Sequence, residues 1–141
     1  MDEKFFQSLT QRSHEEPFGK MLGLEVVEVG LGFARIRMHT GRRLSNIFGT
    51  VHGGAIFSLV DEAFQLACNS HGVMAVALNV SITYVSAPAQ DALLEASAEE
   101  IYRTNRTASY ACRVTEPLSG KLIATAQALA YRTKKNIIAE E

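Results

Sequence analysis

The stretch GAIFSLVDEAFQLACNS, residues 54–70, decides the fold. Its apolar residues Ala55, Ile56, Phe57, Leu59, Val60, Ala63, Phe64, Leu66, Ala67 and Cys68 cover most of a helical circumference. A helix that is apolar on nearly all sides is normally buried on nearly all sides. Ser58, Glu62, Gln65 and Asn69 fall on one narrow polar stripe, with Asp61 at its edge. Gly72 supplies the stop.

The rest of the chain supplies the cover. Residues 33–39 alternate Ala34, Ile36 and Met38 against Arg35, Arg37 and His39, the pattern of a half-buried strand. Residues 24–30 read as its hairpin partner across Gly30-Leu31-Gly32. Residues 75–85 set Val76, Leu78, Val80, Ile82 and Tyr84 against Ala77, Asn79, Ser81 and Thr83. Three more strand-like runs lie at about 92–102, 107–115 and 121–132, with a turn at Pro117-Leu-Ser-Gly120. Phe5, Phe6 and Leu9 mark a short amphipathic helix over residues 2–15, and residues 40–54 read as a glycine-rich loop. The order is helix, two strands, long helix, four strands. This predicts an α+β fold in which an antiparallel sheet wraps around one long central helix. No linker composition and no internal repeat divides the chain, so residues 1–141 are expected to form one domain.

Composition narrows the function. Hydrophobic residues at 47% and charged residues at 21% fit a soluble globular chain, and a net charge of −1 argues against nucleic acid as partner. No apolar run is long enough to span a membrane, and the polar N-terminus lacks a signal-peptide core. Cys68 and Cys112 have neither metal nor redox spacing and read as small buried hydrophobes, which predicts a reducing, cytoplasmic setting.

One segment has the residue types of a reactive site. Asn46 and Gly49 precede His52-Gly53-Gly54 at the start of the central helix, and Asp61 follows within it. A helix start offers unpaired N–H groups to an oxygen that becomes negative. A partly desolvated carboxyl is a candidate base or nucleophile. Each residue has a plainer reading: a turn for Asn46, a cap for His52, a flexible helix start for Gly53-Gly54, a solvated stripe for Asp61. Arg103-Thr-Asn105-Arg106-Thr107 is a polar hairpin turn. With Arg132, Lys134 and Lys135 it could also make a phosphate-binding rim. No His or Cys spacing suggests a metal site, and no cofactor is expected.

Taken together, Asn46-x-x-Gly49-x-x-His52-Gly53-Gly54, Asp61, Ala67-Cys-Asn-Ser-His-Gly72 and Ser81-Ile-Thr-Tyr84 resemble the hotdog-fold acyl-CoA thioesterases, in particular the branch of the bacterial phenylacetate-degradation enzymes. The resemblance covers nearly the whole chain. It implies hydrolysis of an acyl-CoA thioester, of an aromatic phenylacetyl type or of medium length, to free acid and CoA. It implies Asp61 as general base or nucleophile, the Gly53 N–H polarising the carbonyl, and Asn46 and His52 orienting water or substrate. Gly54 and Tyr84 are expected substrate contacts. Arg103, Asn105, Arg106 and Thr107 fall where the family meets CoA. Where some relatives have a serine or threonine to hold water, this chain has Ala77, which leaves Ser81, Asn79 or Asn46 for that task.

Gly53 and Asp61 are eight residues apart, about 12 Å along a helix. One small thioester group does not easily touch both within one chain. A twofold dimer would bring Gly53 of one subunit near Asp61 of the other, and the resemblance implies shared sites of this kind. A homodimer at least, and a homotetramer as a dimer of dimers, is therefore expected. Two other readings stand beside this one: a dehydratase or hydratase of the same fold using His52, and an acyl-CoA-binding sensor without catalysis.

Overall fold

The computed structural model describes residues 3–138. Helix α1 spans Glu3–Glu15 and buries Phe5, Leu9 and Ser13 along one face. Asp2, the first residue of the predicted helix, lies outside the described residues. Helix α2, Pro17–Leu22, is absent from the sequence reading. Its signals are Pro17 at the helix start and Gly23 at its end, where φ is 73° and the N–H reaches back to the last turn. Strands β1 (Glu25–Gly30) and β2 (Phe33–His39) form the expected hairpin. The loop that follows includes a 3₁₀ turn at Arg42–Leu44. Then come α3 (Gly53–Asn69), β3 (Val73–Tyr84), β4 (Leu93–Arg103), β5 (Thr107–Glu116) and β6 (Lys121–Asn136).

The six strands form one antiparallel sheet in the order β1-β2-β4-β5-β6-β3. Its inner face curls around α3. Small residues permit the close approach: Ala34, Ala96, Ala98, Ala124, Ala128 and Ala130 are fully buried there. Larger groups fill the gaps they leave, with Phe64 of α3 meeting Tyr110 of β5 edge-on at 5.6 Å between ring centres. Truncating a buried aromatic of this kind typically costs about 3–5 kcal/mol. Leu59, Val60 and Ala63 complete the helix side of the core. Cys68 and Cys112 are buried, unpaired thiols within the same core. This is the hotdog arrangement expected from residues 54–70.

Two details depart from the sequence pattern. The polar stripe of α3 is not the exposed one. Gly54, Asp61 and Gln65 are exposed and Ser58 is half-buried, whereas Glu62 and Asn69 point inward. Helices α1 and α2 cover Glu62, and Asn69 bonds the Ala75 backbone through both ends of its amide. Second, β3 does not alternate uniformly. Ala77 pairs with Ala130 but Asn79 pairs with Leu129, so a bulge at Leu78 shifts the parity. Residues directly opposite one another share a face of the sheet. Ala77 opposite buried Ala130, and Tyr84 opposite buried Ala124, therefore lie on the helix side. Asn79 and Ser81, opposite Leu129 and Gln127, lie on the outer side.

Candidate active site

The approach to α3 is a small closed loop. Ser45 and Val51 form a bridge, and the Asn46 N–H donates to the Thr50 carbonyl at 2.7 Å. The Asn46 side chain staples the loop from inside: Oδ1 accepts from the N–H groups of Phe48 (2.9 Å) and Thr50 (3.1 Å), and Nδ2 donates to the Thr50 hydroxyl (2.9 Å). Gly49 turns the chain with φ at 82°. Asn46 thus combines the expected turn role with a place beside the helix start.

His52 is the N-cap of α3. Its Nδ1 accepts the Gly54 N–H at 2.8 Å, which leaves Nε2 to carry the ring hydrogen. Gly54 N–H is therefore already used. Among the described residues the Gly53 N–H has no acceptor, and it sits at the positive end of the α3 dipole. Tyr84 closes the other side, its hydroxyl donating to the Gly53 carbonyl at 3.0 Å. A Cβ on Gly53 would stand 3.3 Å from the Tyr84 ring, a tight contact that would push the ring back by a few tenths of an ångström. His52, Gly53, Gly54 and Tyr84 therefore meet at the start of α3, and the loop stapled by Asn46 leads into it.

Asp61 lies two turns further along, on the open stripe of α3 between Ser58 and Gln65. Although exposed, its carboxyl is flanked by enough protein for partial desolvation to raise its pKa, with the negative charge of Glu16 adding to the effect. Beneath it is a cluster that the sequence reading did not single out. Ser13 donates to Glu62 at 2.5 Å, and Gln65 donates to both Glu16 (2.9 Å) and Glu62 (3.3 Å). The available signal was a second carboxyl at Glu62 in a helix apolar all round. Nothing local marked Glu16 as its neighbour.

The remaining candidates lie elsewhere. Asn79 and Ser81 are on the outer face of the sheet: alternation sets them opposite Tyr84, and the bulge at Leu78 sets them opposite Ala77 as well. Asn105 and Arg106 share a groove of about 580 Å³ with Tyr131, Arg132 and Lys134. Arg132 Nη1 donates to the Thr104 carbonyl at 2.9 Å and so braces the turn. Arg103 instead leans toward Glu100, 3.7 Å away, and Thr107 bonds Thr104 across the turn. Val73 at the start of β3 also lines the groove, which places it at the C-terminal end of α3, about 24 Å along that helix from Gly53. No cluster of three His, Cys, Asp or Glu side chains suited to a metal occurs among the described residues. None of the described helices is long and apolar enough to cross a membrane.

Comparison with known proteins gives this geometry a family. The sequence profile of the thioesterase superfamily matches residues 48–117, which include the end of the loop, α3 and the hairpin turn at Arg103–Thr107. A relative from Archaeoglobus fulgidus is 39% identical over 117 residues, covering 83% of this chain and 75% of its own. The acyl-coenzyme A thioesterase PaaI of Escherichia coli is 31% identical over 110 residues, covering 78% and 79%. A point variant of the phenylacetic acid degradation protein PaaI of Thermus thermophilus superposes with a TM-score of 0.80 at 35% identity, covering 84% of this chain and all of that one. By fold and by sequence the chain belongs to the hotdog thioesterase superfamily, on the phenylacetate-degradation branch, and is a thioester hydrolase.

Proposed function

We propose that this thioester hydrolase acts on acyl-CoA, releasing a free acid and CoA, in the cytoplasm. The observation that carries the reading is the free Gly53 N–H at the start of α3, with the Asp61 carboxyl two turns away on the helix's open stripe. The Gly53 N–H polarises the thioester carbonyl and then holds its oxyanion. Asp61, ionised, either takes a proton from the attacking water or attacks the carbonyl itself. The tetrahedral adduct expels the CoA thiolate, which recovers a proton; where Asp61 is the nucleophile, water then hydrolyses the mixed anhydride to the free acid and the Asp61 carboxylate. A general base typically contributes about 10²–10⁴-fold, and one oxyanion donor about 10²–10³-fold. His52 and Asn46 act here through the loop they brace. His52 caps α3 and Asn46 fixes residues 46–50, so both position the Gly53 donor.

The site is shared between two copies of the chain. A separation of about 12 Å between Gly53 and Asp61 supports this reading, and so does the sheet edge. β3 is a 12-residue edge strand with unpaired backbone groups along one side and with Val76, Leu78 and Tyr84 exposed. Such an edge is a template for pairing with a second copy. A homodimer or dimer of dimers follows. In it, the groove at Arg106 and Arg132 takes the phosphates of CoA, and the acyl group, aromatic or of medium length, lies along α3. The test is a panel of aromatic, short, medium and long acyl-CoAs followed by thiol release, with wild type and Asp61→Asn compared at matched folding. Loss of at least about 100-fold in turnover is expected; near-normal turnover in the variant would refute the assignment.

A further inference from the structure

Asp61 is backed by a carboxyl pair that the proposed reaction leaves unused. Glu62 follows it in sequence but points inward and is 5% exposed. Its Oε2 accepts from Ser13 of α1 at 2.5 Å and its Oε1 from Gln65 of α3 at 3.3 Å. The same Gln65 amide donates to Glu16 Oε2 at 2.9 Å. Glu16 Oε1 is buried with no donor among the described residues. It converges with Glu62 over Gly19 of α2, where a Cβ would lie 3.1 Å from Glu16 Oε1 and 3.9 Å from Glu62 Oε2.

Two ionised carboxylates cannot both be held comfortably in such a place. A proton between them removes the repulsion and gives Glu16 Oε1 the donor it lacks. The groups facing the pair are Ser13 and Arg12 from α1, and Asp61 and Gln65 from α3. Burial first, and then the proximity of Glu16 and the charge of Asp61, outweigh the Ser13 hydrogen bond and raise Glu62 to about 8.

We propose that Glu16 and Glu62 hold one proton between them, and that the single negative charge left on the pair positions the reaction electrostatically by making Asp61 a stronger base than a free carboxylate. The proposal rests on Asp61 being the reacting group. Either role, base or nucleophile, needs its ionised form, and a more basic carboxylate is the more effective one once ionised.

The experiment is the pH dependence of kcat on an acyl-CoA for four proteins: wild type, Glu62→Gln, the double variant Glu16→Gln with Glu62→Gln, and Asp61→Asn, each with its melting temperature. In Glu62→Gln the amide replaces the shared proton and Glu16 keeps the charge. The acid limb should stay in place, and any further change in kcat above about pH 8, where the pair of the wild type gains a second charge, should vanish. The double variant has no charge at the pair, so its acid limb should move down by about 0.5–1 pH unit, with a lower plateau. A folded double variant with the wild-type acid limb overturns the proposal. If the double variant does not fold, infrared spectroscopy decides. Wild type at pH 7 should show a protonated-carboxyl band that Glu62→Gln lacks, and absence of that band also overturns the proposal. An active Asp61→Asn would instead remove the reading beneath it, whereas an inactive Asp61→Asn together with an unmoved acid limb in the double variant removes only the proton-sharing pair.

Discussion

Replacing Glu62 by glutamine should make the protein more stable at pH 8 and leave it nearly unchanged at pH 5. Glu62 sits 5% exposed and its pKa is raised from the usual 4.5 to about 8, chiefly by burial. In the unfolded chain it ionises above about pH 4.5; in the folded chain it keeps its proton to about pH 8. The folded state therefore binds more protons across that window, and stability falls as pH rises through it. The interval from 4.5 to about 8, at about 1.4 kcal/mol per pH unit, sets a ceiling of roughly 5 kcal/mol. Water entering the adjacent cleft of about 310 Å³ relaxes part of this. We expect wild type to lose about 2 kcal/mol or more relative to the variant between pH 5 and pH 8. The assay is urea unfolding of both proteins at pH 5, 6, 7 and 8, at one fixed protein concentration because an oligomer's stability depends on it. Two stability curves that run parallel across the whole range would refute the reasoning.

Three further outcomes are expected. Arg106→Ala should raise KM for acyl-CoA with little change in kcat, an effect that shrinks at high salt, while a short thioester lacking the nucleotide is hydrolysed as by wild type; equal losses on both substrates would remove the phosphate assignment. Chains inactivated at Asp61 and chains inactivated at Gly53 should recover activity when mixed and allowed to exchange subunits, and mixed dimers that stay inactive would show that the site is not shared. Tyr84→Phe, which deletes the bond to the Gly53 carbonyl, should cost about 0.5–1.5 kcal/mol of stability and lower kcat rather than raise KM, and unchanged kcat would make Tyr84 a packing residue only.

The central helix was legible because ten apolar residues on one short segment permit no exposed face wide enough for any other architecture. The strand pattern of Ala34, Ile36 and Met38 was equally direct, since these residues line the core without interruption. The helix start at Asn46, His52 and Gly53 could be read because its chemistry is local in the chain. Three things could not be read. The bulge at Leu78 has no marker residue, so strict alternation put Ala77 on the same side as Asn79 and Ser81, whereas the structure puts it on the opposite side. The Glu16–Glu62 pair joins residues that are remote in sequence, and only the packing of α1 and α2 on α3 brings them together. The groove at Arg106 and Arg132 likewise depends on how β5 pairs with β6, so Arg103, equal to Arg106 in composition, falls outside it.

The two core cysteines make the protein its own indicator. Burial pushes the thiols of both Cys68 and Cys112 up to about 12, and neither is open to solvent. A disulfide reagent attacks thiolates it can reach. The folded enzyme is therefore silent toward the same coloured reagent that reports released CoA, and turnover can be followed without a protein background. When a chain unfolds, both cysteines become reactive together, and the signal rises by two equivalents per chain. A single cuvette then separates catalysis, which scales with substrate consumed, from denaturation, which scales with protein and stops.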